Sequence, residues 1–177
     1  MEKLNSKNGF TIVELLIAMT LFTALIGVTS GVFIQSLRTQ RNLTALIAAN
    51  SNASLTIEQI AREARTGKDF CVGANSPCVI DAGIYKELIF TNAKNEKVKY
   101  ELSAQSVMRS LNDQTPIPVT ADNVNIQTLS FYMSGNLPGD GKNARITIVL
   151  KVGAAGLPFS ESIINLQTTV TTRILKD

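Results

Sequence analysis

The sequence predicts an α+β fold, in which a long N-terminal helix packs on a C-terminal domain of antiparallel β-sheet. Three observations predict this fold. Residues 10–34 form an apolar run that contains a single charged side chain. Residues 35–66 keep a helical period, with apolar side chains mostly at intervals of three and four residues. From residue 84 onward, short segments alternate apolar and polar side chains, as half-buried strands do.

The chain opens with a short leader, residues 1–9, which carries two lysines and ends at Gly9. The apolar run that follows would form a helix of about 37 Å, enough to cross a hydrocarbon core of about 30 Å. A secretory signal has its small-residue cleavage site after the apolar core, whereas Gly9 precedes it. Cleavage after Gly9 would therefore leave a membrane anchor, residues 10–34, on the mature chain. The alternative is a removed secretory signal, for which Ser30-Gly31 is the nearest cleavage site.

Glu14 is the charged residue of this apolar run. A charged side chain in hydrocarbon costs about 2.5 to 3.5 kcal/mol on insertion scales, so Glu14 is predicted to have a partner or a function. Cleavage after Gly9 would create a positive amine at Phe10, four residues before Glu14, where the two groups could pair on a helix. The alternative is a simple anchor in which Glu14 lies near the membrane interface.

The run Gly9-Phe10-Thr11-Ile12-Val13-Glu14, between a basic leader and a long apolar helix, resembles the class III signal of type IV pilins and type II secretion pseudopilins. The resemblance implies that a prepilin peptidase cuts after Gly9 and methylates the amine of Phe10. It also implies that Glu14 pairs with the terminal amine of a neighbouring subunit as a filament assembles.

The same resemblance predicts where the protein lies and what it contacts. It implies an inner-membrane protein with a cytoplasmic leader and an exported C-terminal domain, which later joins an extracytoplasmic filament. The implied partners are other pilins or pseudopilins through the N-terminal helix, the prepilin peptidase, the inner-membrane assembly platform, and the lipid bilayer before assembly.

The predicted membrane helix contains two glycines. Gly27 and Gly31 have the GxxxG spacing that lets two membrane helices approach closely. They also mark the weakest stretch of the helix, because each glycine costs about 1 kcal/mol relative to alanine in a helix interior. The alternative is that both are incidental small residues in a membrane helix.

The amphipathic half of the helix, residues 35–66, is predicted to pack on the exported domain, residues 67–177. We expect the apolar stripe of its last turns, from Leu55 to Ala64, to lie in the core. Gly67 is expected to end the helix as a left-handed cap, with Arg62 and Arg65 near the negative end of the helix dipole.

Cys71 and Cys78 follow the helix, with six residues between them. The chain contains no histidine, and a single cysteine pair does not make a structural zinc site. If the domain is exported, a disulfide between Cys71 and Cys78 is the predicted state. The alternative is a pair of free buried thiols.

The C-terminal domain is predicted to contain six strands with β-prone composition. They are Leu88–Thr91, Val98–Leu102, Val107–Leu111, Val124–Met133, Ala144–Val152 and Ile163–Ile174. With the preceding helix, the order of these segments resembles J-type minor pseudopilins and W-type minor pilins, which implies a minor subunit.

Composition argues against an enzyme. The sequence has no histidine, no glycine-rich phosphate loop and no cluster of metal-ligand residues, so no catalytic residue, metal site or cofactor is predicted. A net charge of +3 is too small to predict nucleic-acid binding, which stays a family possibility without support here.

The predicted function is that of a minor pilin or pseudopilin, a structural subunit at or near a filament tip or in an initiation complex. The alternative is a membrane-anchored exported module that binds a ligand or a secretion substrate. Processing after Gly9 separates the two hypotheses, because only the filament subunit requires it.

Overall fold

The computed structural model describes residues 9–71, 83–135, 142–158 and 162–173. One long helix, α1 (Ile12–Arg65), comes first in the chain. By their internal contacts the residues form two compact units, one ending at Leu43 and one beginning at Thr44. The first unit consists, in its described part, of the N-terminal part of α1. The second contains the rest of α1 and all of the strands.

Nine strands follow α1 in the described residues. They are β1 (Lys68–Cys71), β2 (Gly83–Tyr85), β3 (Glu87–Thr91), β4 (Lys97–Ser103), β5 (Ser106–Leu111), β6 (Ile117–Pro118), β7 (Val124–Ser134), β8 (Arg145–Ala154) and β9 (Ile164–Thr171). All six predicted strands are present, although β9 ends three residues before the predicted end. The short strands β1, β2 and β6 were not predicted.

The strands form two antiparallel sheets. The first sheet has the order β1-β3-β4-β5-β6 and the second has the order β2-β7-β8-β9. Neighbouring strands β3, β4 and β5 form a meander, as do β7, β8 and β9. The long helix and the antiparallel sheets confirm the predicted α+β fold class.

One hydrophobic core joins α1 to both sheets in the second unit. The helix contributes mainly small residues to it, including Ala49, Ala53 and Ala64, together with the fully buried Ile60. Alanines on this face let the helix backbone approach the sheets closely. The sheets contribute larger side chains, which include Phe70, Leu88, Phe90, Val98, Tyr100, Phe131, Ile146, Ile148 and Leu150.

The face of α1 that packs on the sheets differs in part from the predicted stripe. Leu55 was expected to lie in the core, but 62% of its surface is exposed. The buried positions of α1 are Ala49, Ala53, Thr56, Ile57, Ile60, Ala61 and Ala64. These positions recur at three- and four-residue intervals, so the period was right, and the predicted stripe is buried from Ile57 to Ala64 but not at Leu55.

The end of α1 also differs from the prediction. Gly67 is not in the left-handed conformation, which the described glycines adopt only at Gly135 and Gly156. The N–H of Gly67 donates to the carbonyl of Ala64 at 3.1 Å, and the N–H of Arg173 donates to the carbonyl of Arg65 at 3.0 Å. The helix is therefore closed partly by Arg173, which lies two residues after the end of β9.

Gly67 is needed for space. A Cβ at this position would lie 2.6 Å from Cδ2 of Phe90 and 3.0 Å from Cζ of Phe70. The rings of Phe70 and Phe90 stack with centroids 5.3 Å apart, and Phe90 also stacks on Tyr100. A methyl group would push into this aromatic stack.

Replacing Gly67 with Ala is therefore expected to destabilise the second unit by about 1 to 3 kcal/mol, the usual cost of overpacking a core. Urea denaturation of the full chain in detergent, followed by tyrosine fluorescence, measures the change. Lys68→Ala is the matched control, because Lys68 is the exposed neighbouring residue. Adding Phe90→Leu should recover part of the loss from Gly67→Ala, whereas strictly additive losses would contradict a steric cause.

The helix N-terminus as the candidate assembly site

Thr11 caps the N-terminus of α1. The backbone N–H of Glu14 donates to Oγ1 of Thr11 at 3.2 Å, and the N–H of Leu15 donates to the Thr11 carbonyl at 3.2 Å. Thr11-Ile12-Val13-Glu14 therefore has the sequence of a capping box, with Thr at the cap and Glu at the third helical position, and the structure shows the hydrogen bond to the Thr11 hydroxyl. Our sequence interpretation missed this role, although the Thr-x-x-Glu spacing indicates it.

Phe10 lies just before the cap, at the position from which a hydrophobic side chain can pack on the fourth helical residue. That residue is Leu15. Phe10, Glu14 and Leu15 line one surface depression of about 440 Å³, together with Ala18, Met19 and Phe22. The structure thus places Phe10 and Glu14 on the same side of the chain, although Phe10 precedes the helix.

The apolar side chains of the first unit are exposed. Phe10 is 82% exposed and Ile12 is 81% exposed, and the large apolar residues continue exposed along α1 to Leu37. By length and composition α1 is able to cross a membrane. Among the described residues, no ion pair involves Glu14.

The glycines singled out in the sequence have open surroundings. A Cβ added at Gly9, Gly27 or Gly31 would meet no atom within 4 Å. The helix is unbroken through Gly27 and Gly31. Their suggested roles, cleavage at Gly9 and packing or weakness at the other two, stay predictions, because packing within this chain does not require glycine at any of them.

A cluster of polar side chains connects α1 to the first sheet through hydrogen bonds and an ion pair. Glu63 of α1 accepts hydrogen bonds from Nη2 of Arg109 at 2.6 Å, from Nε of Arg109 at 3.1 Å and from the hydroxyl of Tyr100 at 2.5 Å. The side chains of Arg109 and Glu63 are only 16% and 18% exposed. This arrangement is a bidentate ion pair completed by a buried tyrosine.

The cluster shifts the ionisation of its members. Burial acts to raise the pKa of Glu63, but the hydrogen bonds from Arg109 and Tyr100 and the charge of Arg109 outweigh it, so the pKa is lowered. Burial, followed by the hydrogen bond to Glu63, raises the pKa of Tyr100. Glu63 is therefore held as an anion and Tyr100 as a neutral donor at neutral pH.

Two lysines of strand β4 form local ion pairs. Lys97 pairs with Asp113 at 2.9 Å, and Lys99 pairs with Glu87 at 3.0 Å and Glu101 at 2.8 Å. Hydrogen bonds to the two glutamates raise the pKa of Lys99. Lys97 and Lys99 therefore have local acidic partners within the first sheet and its turns.

Cys71 is buried at the end of β1. Its predicted disulfide partner, Cys78, lies outside the described residues, so the disulfide stays a prediction. No group of His, Cys, Asp and Glu suited to a metal ion occurs among the described residues.

Comparison with known families supports the reading of the N-terminus. The family model of the prokaryotic N-terminal methylation motif matches residues 4–30. No curated protein and no solved structure matched the chain. The matched motif indicates a structural protein that interacts in general with other pilins and with a prepilin peptidase. Together with the long apolar helix, it supports the type IV pilin and pseudopilin family as the family of this chain.

Proposed function

We propose that this protein is a minor pilin or pseudopilin, cut after Gly9, methylated at Phe10 and assembled into a filament through α1. The observation that carries the proposal is the position of the helix cap. A cut after Gly9 leaves Phe10 and Thr11 on the mature chain, so the capping hydrogen bond survives processing. The new amine then lies one residue before the cap of the helix that carries Glu14.

The charges of the mature N-terminus explain why processing precedes assembly. The N-terminus of a helix carries a positive partial charge, which stabilises the Glu14 carboxylate to a small extent. A full positive charge on Phe10 adds a much stronger partner in a low-dielectric surrounding. In the membrane this amine can pair with Glu14 of its own chain, and in the filament it can pair with Glu14 of a neighbour.

The exposed apolar surface of residues 10–34 is the proposed contact surface of α1, first with lipid and then with other subunits. Residues 10–34 would lie in lipid before assembly and against the helices of neighbouring subunits afterwards. Gly27 and Gly31 leave open surface on α1 at which a neighbouring helix could approach closely. Residues 35–66 connect the exported domain, residues 67–177, to this anchor. A Cys71–Cys78 disulfide would form a closed loop directly after the helix.

The proposed position in the filament is at the tip or in the initiation complex. This assignment rests on the strand order, which resembles that of J-type pseudopilins and W-type minor pilins. It predicts that the chain is present in few copies per filament. Quantitative mass spectrometry of purified filaments measures this ratio.

The test of processing is the N-terminus of the protein from its native host. We expect a mature chain that begins with methylated Phe10 and cofractionates with filaments. Gly9→Val should leave the chain uncut and outside filaments, because it changes the bond cleaved while meeting no atom of the chain itself. Ser6→Val is the control, since it adds an apolar side chain to the leader away from that bond. A working protein that begins at Met1 would contradict the proposal and favour the anchored binding module.

A further inference from the structure

The edge of the second sheet formed by β9 differs from the other sheet edges in the described residues. β1 has an irregular register and a positive φ at Asp69, β2 has three residues, and β6 has two residues and contains Pro118. Short length, bulges and proline are the means by which proteins protect exposed edges from pairing. β9 is an eight-residue strand with a regular register and no charge, proline or glycine.

The register shows which backbone groups of β9 face outward. The N–H of Thr172 donates to the carbonyl of Ala144 at 2.9 Å, which continues the pairing of β8 with β9. Hydrogen-bonded and non-hydrogen-bonded pairs alternate in an antiparallel ladder. The even-numbered residues from Ile164 to Val170 therefore bond to β8. The outward groups belong to Asn165, Gln167, Thr169 and Thr171, whose N–H groups we call the edge amides.

These four residues are exposed, and no backbone hydrogen bond from another described segment reaches them. Their N–H and C=O groups form a template on which a further strand can pair. Such pairing is how extended peptides add to the edge of a sheet.

The charges beside the edge indicate the chemistry of the partner. On the exposed face, Arg145 of β8 lies opposite Thr171, and Lys151 lies opposite Asn165. Neither cation forms an ion pair with a described residue. A strand added to β9 would lie about 10 Å from β8. The long side chains of Arg145 and Lys151 can extend across the short Thr171 and Asn165 to reach it.

We propose that the β9 edge binds an extended segment of another protein whose only charged side chains are two acidic residues six positions apart. That spacing matches the separation of Arg145 and Lys151 along β8. A second copy of this chain fits less well, because the described outer face of β7, β8 and β9 would bring two more cations and no acidic residue. This surface goes beyond the proposed helix-mediated assembly and does not depend on it.

Amide hydrogen exchange of the full chain in detergent micelles, followed residue by residue by NMR, tests the proposal. The edge amides should exchange at least tenfold faster than the alternate amides that bond to β8. A synthetic peptide of about ten Thr and Val residues, with Glu at two positions six apart, should slow the exchange of all four. A peptide with Lys in place of Glu should bind at least tenfold more weakly.

Two variants separate the backbone from the side chain. Thr169→Pro removes one edge amide, and we expect it to weaken binding of the Glu peptide at least tenfold. Thr169→Val keeps the amide while losing the same hydroxyl, which contacts Thr147 at 2.9 Å, and should bind normally. The charge-reversed double variant Arg145→Glu with Lys151→Glu should prefer the Lys peptide.

Three results would overturn the proposal. One is slow exchange of the edge amides in the free chain at every protein concentration, which would mean that the chain covers its own edge. The second is exchange that slows as protein concentration rises, which would mean that a second copy is the partner. The third is equal binding of the Glu and Lys peptides. All three are independent of cleavage after Gly9, so they leave the filament function intact.

Discussion

Glu14→Ala is expected to insert into the membrane normally, to be cut after Gly9, and to be almost absent from filaments. The variant removes the only charge of residues 10–34, so insertion loses a cost of about 2.5 to 3.5 kcal/mol and should not suffer. In the proposed assembly, the variant lacks the acceptor for the terminal amine of a neighbour. In hydrocarbon that unpaired amine makes each docking step unfavourable, and we expect at least a tenfold drop in filament-bound protein by quantitative immunoblotting.

The geometry of the helix cap allows the side chain of Glu14 to be changed without loss of the capping hydrogen bond. Thr11 accepts its hydrogen bond from the backbone N–H of Glu14, so replacing the side chain leaves that bond in place. Glu14→Gln keeps size and polarity and should fail like Glu14→Ala if charge is what matters. Thr11→Val removes the cap and keeps the carboxylate, so it should lower assembly only slightly. Normal incorporation of Glu14→Ala would contradict charge pairing. Failure of Thr11→Val, with Glu14→Ala assembling normally, would show that the motif serves helix capping.

The N-terminal motif could be recognised from sequence because its information is local. One carboxylate in an apolar run, a glycine before that run and a basic leader lie within fifteen residues. The capping motif, which the sequence interpretation missed, is local as well. The same segment therefore determines both the start of the helix and the position of Glu14. What this segment does not encode is the partner of Glu14, which in the proposed assembly is the terminal amine of another chain.

The second unit shows the opposite case. The period of α1 was predicted, and Ile57, Ile60, Ala61 and Ala64 are buried as expected, but the apolar Leu55 lies outside this packing face. Small alanines are preferred there, since they allow close contact with the sheets. The partners of Glu63 were also missed. Tyr100 and Arg109 lie 37 and 46 residues away, and no periodic pattern indicates that β4 and β5 bring them together.

Glu63→Ala is expected to destabilise the second unit by about 3 kcal/mol, the lower end of the range for a broken buried ion pair. The variant leaves the guanidinium of Arg109 largely buried without its carboxylate and leaves the hydroxyl of Tyr100 without its acceptor. Urea denaturation of the full chain in detergent at neutral pH measures the loss. Tyr100→Phe is the matched control, because it removes one hydrogen bond and keeps the ion pair, and should cost only about 1 kcal/mol.

The pH dependence separates the charge of Glu63 from its packing. The pKa of Glu63 is lower in the folded chain than in the unfolded chain, where a glutamate titrates near 4.3. Its stabilisation is therefore fully present above the unfolded pKa and is lost as the pH falls through the folded pKa. The advantage of the natural chain over Glu63→Gln should be constant from about pH 7 to pH 5 and shrink below about pH 4.3. If the difference in free energy of unfolding between the natural chain and Glu63→Gln stays constant down to pH 3, Glu63 acts by shape alone. In that case the charge of its bidentate contact with Arg109 does not stabilise the packing of α1.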